Sequence, residues 1–566
     1  MPRRPAPPVA RPAPVPVSAR PRWLRPAVLA LAALALMAWC SMQLSDPDTW
    51  WHLKTGQYML QHHTLPVPDP FAFTTYTGKP AYPGEEATRY FNLTHEWLAQ
   101  ILFYLVYAAA GFPGLVLMRA AFLTAFCGIV GLAAYNRTES FYRGVWAALA
   151  ASTVAYQFPS ERPQLITYVL LAATLVIVES RRRLWLLPPM FLLWANFHGG
   201  FFMGWVVLGV YCAEALYLRL RGRPPAYERQ LWLASLAAIL VSGLNPNGFR
   251  VIPVMIWYRK SIMQASLLEW QYPLPWPPSP FSVLLVCALA VLVWQRRRTR
   301  PADWLLLAIF GAASATALRN IILAAFVPPI LIFSYVPWKR SLSTAAEYAL
   351  AGLILLFAAV RMAQPGKTFQ LHAADWKYPA GAAGFLLAHH IGAPMFNTYE
   401  TGGYLIWKLW PQERVFIDGR ALNEGVYLDY QRIAANAAAV NGKGADELLN
   451  QYGIEVILMN GFEYTSGQVY WLPAALSDPK QTEWKLVYRD AQAVVYMRHP
   501  PADVQPLNTF DALAGLEEQC ATYLEHDPER PRCALGLSDL FNRIGDPARA
   551  ARWHATYLRY PDNTGL

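Results

Sequence analysis

The chain is 566 residues long, 55 % apolar and 14 % aromatic, with only 15 % charged residues and a net charge of +11. That charged fraction lies well below the roughly 25 % of soluble domains. Its Lys and Arg sit in short blocks between apolar runs, a topology signal rather than a phosphate-binding one, and no basic-aromatic module accompanies them, so nucleic acid is not an expected partner. The mean hydropathy of +0.20 averages two unlike parts that meet near Arg361.

Residues 1–26 (MPRRPAPPVARPAPVPVSARPRWLRP) are rich in Pro, Arg and Ala and predict a disordered tail. Six arginines precede the first apolar run, Ala27–Leu44, which places the tail in the cytoplasm. The run lacks a small-residue cleavage site and reads as a retained helix. A long polar loop, 45–95, follows. Further spans are predicted at Leu115–Ala134, Arg143–Phe158, Gln164–Glu179, Leu184–Phe197, Gly200–Leu218, Gln230–Leu244, Phe281–Gln295, Asp303–Leu318, Ile321–Val336 and Thr344–Met362. Several are shorter than the usual ~20 residues and lean on interfacial Trp, Tyr and Arg.

The basic blocks Arg181–Arg183, Arg219 to Arg229, Arg296–Arg300 and Lys339–Arg340 all fall on the side of the N-terminal tail. Glu96–Ala110 is apolar enough to cross, but counting it would put every Arg block outside. It therefore reads as a helix at the outer surface, ended by Gly111-Phe112-Pro113-Gly114. About eleven crossings result, with residues 27–362 as the membrane domain of a bacterial inner membrane. The C-terminal part then lies outside the cytoplasm.

Residues 365–500 alternate helix and strand signals: helices at Ala380–His390 and Ala445–Tyr452, strands at Pro394–Thr398, Arg414–Asp418, Glu455–Met459, Trp484–Arg489 and Ala493–Arg498. They predict a small α/β domain. In 506–566, Ala521-Thr522-Tyr523-Leu524 recurs as Ala555-Thr556-Tyr557-Leu558, an offset of 34 residues. That is the tetratricopeptide period, and so short an array is expected to pack on its neighbour or to recruit a protein partner. Cys40, Cys127, Cys212 and Cys287 lie in apolar runs as small core residues. Cys520 and Cys533 can pair if the tail is outside the cytoplasm.

With this orientation the unusual polar residues gather on one face. The loop after the first span carries Asp46, Asp48, His52, His95 and Glu96; later loops add Glu161-Arg162-Pro163-Gln164, His198 before Gly199-Gly200, Glu269 and Arg319. Charges at membrane depth are costly and face a cavity or one another. Asp46 and Asp48 can act as a general base, hold a divalent cation such as Mg or Mn, or, for Asp48, cap the helix expected over Thr49–Gln61. Arg162 and Arg319 suit a phosphate clamp, or else snorkel at the interface. His52, His95 and His198 can be ligands, acids or interfacial residues, and the glycines after His198 would let backbone approach a ligand. Gly402-Gly403-Tyr404 and Asp418-Gly419-Arg420 read as tight turns with an Asp–Arg pair.

These residues resemble the GT-C superfamily of membrane glycosyltransferases: a first span, an acidic pair on a long outer loop, many spans and an extracytoplasmic domain. Protein mannosyltransferases, aminoarabinose transferases and the oligosaccharyltransferase catalytic subunit belong to it. A closer resemblance is to a bacterial multi-pass group with the motifs seen here as Asp46 to Leu53, His95 to Leu98, Arg162 to Gln164, Asn196 to Gly200, Gly402 to Trp407 and Phe416 to Arg420. The resemblance implies an all-α polytopic GT-C-like bundle and a polyprenyl-phosphate-linked sugar donor. It also implies inverting transfer, with Asp46 or Asp48 activating the acceptor and Arg162, Arg319 or a metal stabilising the leaving phosphate. His52, His95, Glu96 and His198 would line the substrate site. The His-Pro-Pro motif of the mannosyltransferases and the Trp-Trp-Asp motif of the oligosaccharyltransferase subunit are absent, so N-glycosylation is not expected. The alternative function is a non-catalytic scaffold of cell-envelope polysaccharide synthesis; a transporter is disfavoured because the polar groups avoid the midplane.

Overall fold

In lipid an apolar run can satisfy its backbone polar groups internally only as a helix or a closed barrel, and the expected spans lie on helices. The computed structural model describes residues 23–562 apart from 159, 275, 338–342, 365, 367, 440–441 and 465; most of the N-terminal tail and the Lys339–Arg340 block lie outside the described residues. The helices are Leu24–Trp39, Trp97–Thr138, Phe141–Ala155, Gln164–Ser180, Leu187–Phe197, Phe202–Leu220, Glu228–Ser242, Pro280–Trp294, Pro301–Ser314, Val327–Tyr335 and Thr344–Met362. Three helical stretches, Glu85–Thr138, Gly199–Leu220 and Leu318–Tyr335, are long and apolar enough to cross a membrane. The chain is a membrane protein.

Most expected boundaries shift by a few residues, and two of the differences shape the site. The first helix ends at Trp39, short of Leu44, because the following residues pair with the segment beyond the last helix. Gln370 donates its amide to Ser41 O (2.9 Å), Leu44 to His372 O (3.0 Å) and Ala374 to Leu44 O (2.8 Å). Glu96–Ala110 is continuous with the next helix except for a break at Gly111 (φ 60°, ψ −153°), backbone that only glycine enters at little cost. Before the break this helix packs on Asp48–His62, where a β-carbon at Gly56 would stand 2.1 Å from Gln100 O. Its Tyr107 ring meets Trp407 of the C-terminal domain edge-on at 5.3 Å.

That domain is built on a four-stranded mixed sheet: β1 (Met395–Asn397), β2 (Val456–Met459), β3 (Lys485–Arg489) and β4 (Val494–Met497), in the order β1-β2-β4-β3. β1 and β2 are parallel and the other pairs antiparallel. The strand expected at Arg414–Asp418 is not in the sheet. Asn397 takes its place at the edge, accepting the Phe416 amide through Oδ1 and donating Nδ2 to Ile417 O, both at 2.8 Å. Val415 instead pairs with the loop 45–95, exchanging backbone bonds with Phe71 and Phe73. Trp50, Trp51, Leu53 and Phe71 of that loop share one buried cluster with Tyr404, Leu405 and Val456, so loop and domain have a common core.

Asp511–His526, Arg532–Arg543 and Pro547–Tyr557 form the tail, and Cys520 and Cys533 are disulfide-bonded across the first two. The tail packs on the domain: Tyr523 donates to Tyr464 O (2.9 Å) and Gln519 Oε1 accepts the Gly461 amide (2.7 Å). The two copies of the repeat differ in environment, Leu524 being buried and Leu558 68 % exposed. Cys40, Cys127 and Cys212 are buried as expected; Cys287 is exposed on the outer face of its helix, contrary to its assignment as core.

Candidate functional site

Leaving the bundle, the chain turns through Asp46-Pro47-Asp48 into the Asp48–His62 helix. The carboxylate that satisfies a helix-terminal amide is Asp46, whose Oδ1 accepts the Asp48 N–H at 3.0 Å. Asp48 is free of that capping role: its Oδ1 accepts the indole N–H of Trp51 (3.1 Å). Between the two carboxylates lies the guanidinium of Arg162. Its Nε is 2.6 Å from Asp46 Oδ2, and its Nη2 is 3.2 Å from Asp46 Oδ1 and 2.9 Å from Asp48 Oδ2. Nη1 reaches Glu269 at 3.3 Å, and the other oxygen of Glu269 takes Arg319 Nη1 at 3.0 Å. Arg319 lies over the Trp270 ring (4.6 Å) and also donates to Gln164 (3.4 Å).

The carboxylates are therefore unequal. Burial opposes ionisation of both, but at Asp46 the two-pronged contact from Arg162 outweighs it and holds the carboxyl below the usual range. At Asp48 burial dominates, Arg162 offsets only part, and the charges of Asp46 and Glu269 add to the rise, which reaches about 7. One carboxylate is locked as an anion, while the other is poised to exchange a proton near neutrality.

A divalent cation such as Mg or Mn does not fit this pair. The oxygens that would bind it face Arg162 at 2.6–3.2 Å, and a metal there would stand against a permanent cation.

The C-terminal domain closes on the pair from the other side. A β-carbon at Gly419 would lie 2.1 Å from Asp48 Oδ1, and one at Gly403 would lie 2.6 Å from Pro47 O. Arg420 beside it is wholly structural, bonded to Asp418 (Nε–Oδ1 2.7 Å, Nη2–Oδ2 2.7 Å) and to Asp69 (Nη1–Oδ1 2.7 Å, Nη2–Oδ2 3.1 Å). Three further groups on this wall carry little or no signal in the sequence. Tyr399 donates to Gly419 O (3.2 Å), Glu400 accepts the Tyr464 amide (3.1 Å) and Lys377 donates to Ser45 O (3.0 Å). Burial lowers the Lys377 ammonium below its ordinary value and raises the Glu400 carboxyl to about 8. Only the position of Tyr399 and Glu400 just before Gly402-Gly403 could have pointed to them; nothing in the sequence places Lys377.

The imidazoles surround Glu96. His95 Nε2 is 3.2 Å and His198 Nε2 3.6 Å from Glu96 Oε1, and His52 Nδ1 is 3.8 Å from Oε2. All the expected site residues thus converge, with His52 one helical turn beyond Asp48 linking the two groups. The role expected for Gly199 and Gly200 is corrected. The space a β-carbon would need there is filled by Phe91, His95, Thr167 and the His198 ring, so these glycines serve internal packing and offer no room to a ligand.

No family model matches the chain, and no curated protein matches it in sequence. Solved structures do. The apo oligosaccharyltransferase of Archaeoglobus fulgidus superposes with a TM-score of 0.51 at 12 % identity, covering 87 % of this chain and 77 % of that one. The same enzyme tethered to an acceptor peptide with an NVT sequon gives 0.50 at 11 % identity. So does its complex, under the name AglB, with an inhibitory peptide and a dolichol-phosphate, each with the same coverage. The chain has the fold of the archaeal oligosaccharyltransferase. At such identity the likeness extends to the fold, and the chemistry must be argued from the side chains above.

Proposed function

We propose that this protein is a GT-C-type membrane glycosyltransferase that moves a sugar from a polyprenyl-phosphate donor to an extracytoplasmic acceptor. The observation that carries the reading is the Asp46–Arg162–Asp48 arrangement, facing Arg319 at the junction of bundle and C-terminal domain. Asp48 takes the proton of the acceptor hydroxyl, the acceptor oxygen bonds to the anomeric carbon from the face opposite the phosphate, and the carbon–phosphate-oxygen bond breaks, inverting the centre. Arg162 and Arg319 receive the developing phosphate charge. Asp46 acts through Arg162, holding its fork in place.

The fold neighbour bound to a dolichol-phosphate supports a lipid-linked donor. The disulfide between Cys520 and Cys533 supports a tail outside the cytoplasm. Together with the charge pattern it favours about eleven crossings and an N-terminus inside a bacterial inner membrane. A tetratricopeptide-like tail that recruits a partner belongs to the scaffold alternative.

The deciding measurement is transfer from a polyprenyl-phosphate sugar by purified protein. Asp48→Asn should abolish transfer while abundance and membrane insertion hold. Wild-type transfer in Asp48→Asn would remove Asp48 as the base, whereas no transfer by the wild-type protein, with a cellular role lost on deleting 506–566, would favour the scaffold.

A further inference from the structure

We propose that His95, Glu96 and His198 form a binding site for one transition-metal ion of the zinc class, separate from the acidic pair. The ligand atoms of these three residues all lie within 4.8 Å of one another. Two donors about 2.1 Å from a zinc ion stand no more than ~4.2 Å apart. The contacts to Glu96 Oε1, 3.2 Å from His95 and 3.6 Å from His198, already meet that spacing, and a small side-chain shift closes the remaining pair.

The hydrogen bonding of His95 is what calls for a cation. Its Nδ1 lies 2.8 Å from the Phe91 carbonyl, which can only accept, so the ring hydrogen is on Nδ1. The Nε2 lone pair then points at a carboxylate oxygen 3.2 Å away. In the neutral ring two acceptors face each other, and either a second ring proton or a metal ion between them resolves the conflict. A ring N–H given to a backbone carbonyl is also the usual support of a metal-bound histidine.

His198 can be turned to the same use. Its Nδ1 accepts the Gly200 amide at 3.0 Å and lies 2.8 Å from Thr167 Oγ1, so without metal the ring hydrogen is on Nε2, toward Glu96. A metal on Nε2 moves that hydrogen to Nδ1, which gives up the Gly200 amide and donates to the Thr167 hydroxyl, whose other partner, Trp194 Nε1–H at 2.8 Å, is a donor. Metal loading thus exchanges one tautomer for the other.

The ligands come from separate elements that are bonded together. Trp97 Nε1 donates to Asn196 Oδ1 (3.0 Å) and Asn247 Nδ2 to Thr94 Oγ1 (2.9 Å). The three ligand side chains keep 11–16 % exposure, leaving a side open for a fourth ligand. An imidazole-rich set favours zinc, cobalt or copper over Mg or Mn, which prefer oxygen.

The test reads bound metal, so its outcome is independent of whether transfer is observed. Full-length protein in detergent, stripped by chelator, is reloaded with Zn²⁺ or Co²⁺ and analysed for metal content and visible absorption. Wild type should hold one equivalent and give the intense ligand-field bands of low-coordinate Co²⁺. Glu96→Gln and His198→Asn should lose the metal, Thr167→Val should weaken affinity about 10- to 100-fold, and Asp46→Asn should retain it. Absence of zinc and cobalt from reloaded wild type would overturn the site; the two acceptors would then be bridged by a proton on His95. Metal lost in Asp46→Asn but kept in Glu96→Gln would overturn it too.

Discussion

Gly419 lies so close to Asp48 that a β-carbon on it would stand 2.1 Å from Oδ1. The C-terminal domain therefore sets the position of the carboxylate proposed as base, although the two residues are far apart in sequence. Gly419→Ala should push Asp48 off its contacts with Trp51 and Arg162 while leaving the Arg420 clamp in place. A displacement of about 1 Å is enough to cost ~10²-fold in rate, so transfer should fall by about that factor with little change in thermal midpoint. Wild-type turnover in this variant would show that the loop does not position Asp48.

The inequality of the acidic pair predicts a pH profile. Burial, with the neighbouring Asp46 and Glu269 charges, raises Asp48 to about 7, against the partial offset of Arg162 and Trp51. A base must be ionised to act, so kcat/KM should rise with pH through about 7 and fall about tenfold per unit below it. In Asp46→Asn one like charge is gone and Arg162 is freer to pair with Asp48, so any residual activity should show its limb at lower pH. The linkage to stability has the opposite sense. The fold favours protonated Asp48, so that contribution is present below the ordinary carboxylate range and lost as pH climbs through about 7.

The helices and most strands were legible because apolar runs and alternation report burial directly. The convergence of Asp46, Asp48, Arg162, His198 and Arg319 was legible because charges in so apolar a chain are costly unless they face a cavity or one another. The contacts of the second wall were not. Arg414–Asp418 has the composition of a strand, but Asn397 fills the sheet edge and Val415 pairs with Phe71 and Phe73 instead. Lys377 reaches Ser45 only because residues 369–374 run beside 41–44, a pairing between segments with no pattern in common. The glycines after His198 suggest an opening, since a sequence shows that a side chain is missing but not what occupies its space.

Arg420 offers a test of how the first loop is held to the domain. Its side chain is 2 % exposed, and its partners Asp69 and Asp418 are 0 % and 2 % exposed. Arg420→Met would leave two buried carboxylates without their cation, and removal of one member of such a buried group costs about 3–5 kcal/mol. A large fall in the thermal midpoint of the detergent-solubilised protein is expected, and pairing the change with Asp69→Asn should recover part of it. A midpoint unchanged in Arg420→Met would mean that water reaches these carboxylates and that the clamp adds little.

Glu269 occupies the position between two arginines where the proposed donor phosphate would sit. One of its oxygens pairs with Arg162 (3.3 Å) and the other with Arg319 (3.0 Å), the two-guanidinium contact expected for a phosphate. With 35 % of its side chain exposed, it is the most accessible acid of the group, and an exposed pair of this kind contributes at most about 1 kcal/mol. A phosphate entering the clamp must displace it. Glu269→Gln removes the competing charge while keeping the shape, so a polyprenyl phosphate should bind up to about fivefold more tightly. Gln164 and Trp270 still hold Arg319, so the clamp should keep its geometry. Equilibrium binding of a labelled polyprenyl phosphate to the two proteins decides the point. Weaker binding in Glu269→Gln would mean that the carboxylate organises the arginines for the donor, and the placeholder role would have to be abandoned.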